Sequence, residues 1–181
     1  MNLVAASTLP HVWTRHVADS AQLLRLAPEA KVWVDLGSGA GFPGLVIACA
    51  LADTPGAQVH LVESTGKKCG FLNEAIRQIG LPAIVHCRRI EQFTSTLTGR
   101  ADVVTARALA PLDRLLRLAA PLLKTGTIGL FPKGQDVAAE LTQAAKYWNI
   151  EAVVEPSVTS PKGGIVAVSN LRLRSVAARH G

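Results

Sequence analysis

The ten residues DLGSGAGFPG (35–44) constrain this chain more than any other stretch. They follow an apolar run, Val32-Trp33-Val34, and lead into Leu45-Val46-Ile47-Ala48-Cys49-Ala50, which has the composition of a helix. A strand that ends in a carboxylate and turns through Gly37, Gly39 and Gly41 lets the backbone approach a ligand closely. The N–H groups that open the next helix then face the same cavity. Pro43 suits a first helical turn, where its missing donor costs nothing. The next apolar run, Val59-His60-Leu61-Val62, ends in Glu63, where a ribose hydroxyl would find an acceptor. The whole unit is expected to bind an adenosine-type cofactor.

Glycine spacing narrows the choice. A dinucleotide fingerprint wants G-x-G-x-x-G, so that helix and strand can pack tightly against a pyrophosphate. Counted from Gly37, its third glycine position holds Phe42. G-x-G-x-G after an Asp-terminated strand instead suits S-adenosyl-L-methionine, which carries a carboxylate and an ammonium but no phosphate.

A length of 181 residues points to one domain with a full core. Hydrophobic residues make up 49% and charged residues 18%, the balance of a packed globule and not of a disordered tail. No apolar run approaches the roughly 20 residues that a membrane span needs. The N-terminus lacks the charged-then-apolar pattern of a secretory signal, so a cytoplasmic setting is expected. Cys49, Cys69 and Cys87 form no C-x-x-C pair and read as core or half-buried thiols, with no metal site. The net charge of +6 favours a polyanionic partner. An aromatic content of 4% argues against a single-strand groove lined with stacking rings.

Residues 8–26 read as a helix, with Thr8 as cap, Pro10 at its start and Trp13, Val17, Ala21 and Leu24 as its apolar stripe. Strands are expected at 31–36, 58–63, 83–88, 102–106, 126–131, 151–155 and 165–171, and helices at 43–52, 65–79, 111–123 and 135–148. The stretch 94–99 reads as a surface loop, and 179–181 as a frayed end. Strands alternating with helices imply right-handed βαβ units and a mainly parallel sheet. The last two strands, with only 156–164 between them, are expected to pair antiparallel. This α/β architecture, a mostly parallel seven-stranded sheet with an antiparallel C-terminal strand, resembles the Rossmann-like fold of class I S-adenosylmethionine-dependent methyltransferases. Residues 1–28 read as an N-terminal helical segment and 29–181 as the methyltransferase domain. Ligands of such sheets bind at the carboxyl ends of the strands. That gathers 35–43, Glu63, 89–91, Arg107 and Lys133 around one crevice.

The segments RHVADS (15–20), VDLGSGAGFPG (34–44), LVESTGKKCGFL (61–72), RRIEQF (88–93), VVTARALAPL (103–112) and FPKGQ (131–135) resemble the bacterial 16S ribosomal RNA (guanine-N7) methyltransferases. This is the small-subunit methyltransferase G, or glucose-inhibited division protein B, family. The resemblance runs from Asn2 to about Leu173. Members carry further helical residues ahead of the position matching Asn2, so the N-terminal segment is expected to be short relative to them. The resemblance implies an enzyme that uses S-adenosyl-L-methionine to methylate N7 of a guanine in 16S rRNA, on the small ribosomal subunit or its precursor, as a monomer in the cytoplasm. It implies cofactor contacts at Gly37 and Phe42, with Gly39 and Gly41 giving backbone room. Glu63 would accept from the ribose hydroxyls, and Ile90 and Glu91 would lie beside the adenine. Arg107 would sit at the cofactor site, holding the methionine carboxylate or facing the RNA, with a structural salt bridge as its plain alternative. His16 and Asp19 match a signature near the mouth of the site. Lys133, Lys162 and Arg172 are candidate RNA contacts.

Guanine N7 has an in-plane lone pair and no proton, so no general base is needed. The absence of an acid–base pair, a triad or a metal cluster in the sequence agrees with that chemistry. Arg107 remains the one candidate for a catalytic role. N7 of a paired guanine lies in the narrow groove of A-form RNA, so the target is expected in a loop or an unfolded intermediate. Two alternatives stand beside this reading. One is a small-molecule methyltransferase, which has no use for a +6 surface; the other is a non-catalytic cofactor- or RNA-binding module of the same fold. Salt dependence separates the first, because only rRNA binding weakens steeply with added salt.

Overall fold

Alternating short apolar strands and amphipathic helices fold the chain into a three-layer α/β unit in the computed structural model, which describes residues 10–97 and 99–174. The order is β1 (Val32–Leu36), α2 (Gly44–Ala50), β2 (Gln58–Glu63), α3 (Gly66–Ile79), β3 (Ala83–Cys87), α4 (Ile90–Thr96), β4 (Val103–Thr105), α5 (Leu112–Leu123), β5 (Ile128–Lys133), α6 (Val137–Ala144), β6 (Trp148–Pro156) and β7 (Gly164–Leu173). Ahead of β1 lie a wide π-helical stretch (Trp13–Ala18), the short α1 (Asp19–Ala21) and a 3₁₀ turn (Gln22–Leu26). The sheet order is β3-β2-β1-β4-β5-β7-β6. β1 to β5 run parallel, while β7 runs antiparallel between β5 and β6.

The period of two along the strands sorts the core into two layers. Val34, Leu36, Val62, Val104 and Phe131 pack on the face covered by α4 and α5. Trp33, Val59, Leu61, Val103 and Leu130 pack on the other face, against Leu23, Ile47 and Leu72. β1 and β4 are buried on both faces, which is why they read as nearly continuous apolar runs. Burying each large side chain contributes about 1.5–3 kcal/mol.

Several expectations need correction. Residues 94–96, read as loop, end α4: Phe93 is buried on its inner face, and the Thr96 hydroxyl donates to the Gln92 carbonyl at 2.8 Å. Thr98 and residues 179–181, like Thr8, lie outside the described residues. α6 stops at Ala144, and the expected C-terminal end of that helix gives way to β6, which begins at Trp148. In the N-terminal segment the inward face is Ser20, Gln22 and Leu23, while Trp13 is 74% exposed. Wide turns followed by tight ones rotate the face away from the stripe that a 3.6-residue period predicts. Of the three cysteines only Cys69 is buried.

Candidate active site

β1 ends at Leu36, and the chain turns back on itself through Gly37 and Ser38, whose N–H groups both donate to the Val62 carbonyl of β2 (2.8 and 3.0 Å). Asp35, 1% exposed, fixes the far side of the turn. Its carbonyl accepts the Ser38 hydroxyl at 3.0 Å, and its Oδ2 accepts the Gly44 N–H at 3.1 Å. A Cβ at Gly44 would run into Leu61 and the Asp35 carboxylate, so this glycine, which the alternating pattern did not single out, locks turn to helix. Burial pushes the Asp35 carboxyl up to about 6 from 3.8, against its hydrogen bonds with Ser38 and Gly44 and the nearby charge of Arg107.

The three alternating glycines do different work. At Gly39 the backbone is left-handed (φ +56°), and a Cβ would meet nothing closer than 3.8 Å. The space above it belongs to the crevice. Gly37 also lines the crevice, but a Cβ there would meet Leu109 at 2.7 Å. Gly41 lines neither part of the crevice, and a side chain there would collide with Leu45. Its contribution is to packing.

The crevice has two halves that share Gly37, Gly39, Lys68 and residues 108–110. The smaller, about 330 Å³, is bordered by Glu63, Ile90 and Glu91, as the sequence led one to expect. Glu63 Oε2 accepts from the Gly39 N–H at 3.0 Å, and Oε1 accepts from the Thr65 N–H at 2.8 Å. Burial alone would raise the Glu63 carboxyl, yet the Thr65 and Gly39 donors and the Lys68 charge hold it below its ordinary value. It is therefore ionised, with acceptor capacity left beyond these donors.

The larger half, about 840 Å³, is walled by the N-terminal segment, Phe42, Arg107 and residues of the β6–β7 loop. The Arg107 guanidinium donates to the Arg15 carbonyl and to His16 Nδ1, both at 2.8 Å, and lies 3.4 Å from Asp19 Oδ2. Its carbon sits 5.3 Å from the Phe42 ring centroid, and His16 stacks on the same ring at 5.0 Å. Because Nδ1 accepts from Arg107, the His16 ring is neutral there, and burial followed by the Arg107 charge lowers its pKa. Asp19 Oδ1 in turn accepts the Thr159 hydroxyl at 2.6 Å and Gln22 Nε2 at 2.9 Å. Gln22 Oε1 accepts the Val158 N–H at 3.0 Å. These contacts join three segments that are far apart in sequence. Ala108, beside Arg107, has φ +53°, the only positive value for a non-glycine among the described residues. No sequence signal marked Gln22 or Thr159, and the family segment 103–112 that contains Ala108 did not show its backbone conformation.

The basic candidates fare differently. Lys133 Nζ lies 2.8 Å from Glu140 Oε2 and donates to the Ala110 carbonyl at 2.8 Å, with its side chain 10% exposed. Glu140 also accepts the Leu112 N–H, so Lys133 is a strut between β5, α6 and the start of α5, not a free phosphate contact. Lys162 is exposed on the β6–β7 loop, outside the crevice lining. Arg172 is exposed but lies at the opposite end of the sheet, because β7 runs back from its Lys133–Gly164 pairing. Eight residues of strand separate it from Gly164, roughly 26 Å.

A family model described as "GidB: rRNA small subunit methyltransferase G" matches residues 1–168. A Bradyrhizobium sp. (strain ORS 278) protein named ribosomal RNA small subunit methyltransferase G is 59% identical over 174 residues, covering 96% of this chain and 78% of its own length. A Bradyrhizobium diazoefficiens protein of the same name is 60% identical over 158 residues, covering 87% of this chain and 61% of its own. Among solved structures, a mutant of MtNAS in complex with S-adenosylmethionine superposes with a TM-score of 0.64 at 18% identity, over 93% of this chain and 68% of that one. A putative O-methyltransferase from Klebsiella pneumoniae gives 0.62 at 17% identity, over 92% and 81%. At such identities these structures speak for the fold, the class I methyltransferase architecture. The match along the sequence speaks for the family: this chain belongs to the rRNA small subunit methyltransferase G family.

Proposed function

We propose that the protein is an S-adenosyl-L-methionine-dependent methyltransferase that modifies N7 of a guanine in 16S rRNA, on the small ribosomal subunit or its precursor. The observation that carries this reading is the open cradle over Gly39 beside an ionised Glu63, at the head of a second and larger cavity. The smaller half fits the cofactor's nucleoside end. Glu63 has lone pairs left for a ribose diol, Ile90 offers an apolar cover for the adenine, and the Glu91 N–H is a first-turn donor of α4. Phe42 and Gly37 border the passage between the halves.

When bound, the cofactor supplies an electrophilic methyl on a sulfonium. Guanine N7 brings its own lone pair and releases no proton, so the chain's task is placement and exclusion of water. His16 is suited to that role as a neutral ring stacked on Phe42, and Arg107 as the group that fixes the wall beside it. A wall that carries Arg15, Asp19, Arg107 and Glu140 beside its apolar residues suits a polar substrate better than a small apolar one.

In this reading residues 29–181 form the methyltransferase domain and 1–28 its N-terminal helical segment, of which Arg15, His16 and Asp19 line the substrate half. The protein works as a monomer in the cytoplasm; among the described residues no helix is long and apolar enough to cross a membrane. Transfer of a labelled methyl group from the cofactor to 30S subunits, followed by nucleoside analysis, tests the whole reading. The label is expected in 7-methylguanosine, and label in any other nucleoside, or none, would overturn it.

A further inference from the structure

Among the described residues some basic side chains are engaged and others are not, and the unengaged ones occur at both ends of the sheet. Arg77, Arg100, Arg107, Lys133, Lys146 and Arg174 are engaged, each holding a carboxylate, a side-chain amide or a backbone carbonyl. Lys68, Arg88, Arg89 and Arg114 make no side-chain hydrogen bond or ion pair among the described residues, and all four border the smaller half of the crevice. They come from the segments that follow β2, β3 and β4, so they share one rim at the carboxyl ends of the strands. From β3 to β4 that rim crosses three strand spacings, about 14 Å. Arg117, exposed three residues beyond Arg114, extends it along α5.

Among the described residues, the carboxylates bordering the same half are Glu63 and Glu91, and Glu63 already holds two backbone N–H groups. An adenosine moiety has no negative charge. Lys68 faces the Glu63 carboxylate, but the cofactor's nucleoside end adds no charge to balance Arg88, Arg89 and Arg114, which present positive charge outward around its cavity. A run of phosphates is the chemistry that matches unpaired cations on one edge.

We infer that this rim is a docking surface for the RNA backbone. Phosphates of the substrate strand cross the adenosine end of the crevice against Lys68, Arg88, Arg89 and Arg114, while the target base enters the larger half. The inference rests on the rRNA methyltransferase reading and adds where the strand lies.

The test compares two triple variants of the full chain, each losing three unpaired cations. Arg88→Gln/Arg89→Gln/Arg114→Gln strips the rim. Arg25→Gln/Lys31→Gln/Lys124→Gln strips the opposite end of the sheet. Binding to a protein-free 16S rRNA transcript and to 30S subunits is measured across a salt series. The rim variant should lose at least about tenfold in affinity, and its log–log salt slope should flatten by about two units, at roughly 0.7 per phosphate contact. The opposite-end variant should keep the wild-type slope within about half a unit. Arg89→Gln alone should flatten it by about 0.7, which guards against a fold defect in the triple. Equal losses in the two triples, or a rim variant with the wild-type slope, would overturn the inference. So would a loss confined to 30S subunits, which would mean that the rim meets a ribosomal protein. If the wild type methylates 30S subunits while the rim variant keeps its slope, only this inference falls. If the wild type binds neither transcript nor subunit, the rRNA reading falls with it.

Discussion

In the smaller half of the crevice the fixed points are backbone groups of the parallel sheet. The Glu63 carboxylate is gripped by the Gly39 and Thr65 N–H groups, and the glycine turn by the Val62 carbonyl. In the larger half the fixed points are side chains that meet across long sequence separations: Arg107 with His16 and Asp19, Asp19 with Thr159, Gln22 with the Val158 N–H. Backbone geometry is set once the strands pair, so the first half is rigid by construction. The second half depends on particular side chains finding one another. One polar latch can be undone by a single substitution; a strand register cannot.

Gly39→Val should have the largest effect. A β-branched side chain at φ +56° is strained and would project into the cradle, so cofactor affinity measured by calorimetry should fall at least about a thousandfold, roughly 4 kcal/mol. Micromolar binding retained by that variant would mean that the smaller half does not hold the cofactor.

Asp35 tests the turn on which both halves hang. Its carboxyl is raised from 3.8 to about 6, so it favours the folded state while protonated. That contribution is complete below about pH 3.8 and is lost as the pH rises through about 6. Asp35→Asn, with a similar shape and no charge, should gain stability relative to the wild type as the pH rises from about 3.8 to about 6, and hold that gain above it. The gain should reach up to about 3 kcal/mol, at about 1.36 kcal/mol per pH unit, in urea midpoints. Parallel pH profiles for the two proteins would contradict this.

Glu63→Ala should weaken cofactor binding by about 1–3 kcal/mol, the scale for removing a charged hydrogen-bond partner. Unchanged affinity in a folded variant would reduce Glu63 to a clasp for Gly39. Arg107→Ala should be the mildest, cutting turnover at least about tenfold, near 1.4 kcal/mol of transition-state stabilisation, with cofactor affinity less affected. If turnover is kept and only thermal stability falls, the larger half is a structural assembly and not a working one.

The smaller half was legible because its parts lie on consecutive βαβ units. Asp35, the glycine turn and Glu63 announce themselves through strand alternation and a spacing that few other structures need. The larger half was only partly so. Arg107 stood out as a cation ending an apolar strand, and His16 and Asp19 through the family signature, but their pairing did not, nor did Thr159, 140 residues from the Asp19 it holds. Lys133 looked like a free phosphate contact because Glu140, one helix later, carries no mark of the pairing. α4 was missed because the hydroxyls of Thr94, Ser95 and Thr96 favour turns locally, a preference that the burial of Phe93 and Thr94 overrides.

The antiparallel course of β7 also has a consequence in time. Residues 32–96 contain the glycine turn, Glu63 and Ile90, and they leave the ribosome early. The wall opposite needs Thr159, and then the strand from Gly164 that slots between β5 and β6 to hold that loop in place. Residues 108–118 border the smaller half as well, so the small-ligand grip is complete only once β4 and α5 have been made. The compartment for the large ligand waits longer still, for the β6–β7 loop and β7.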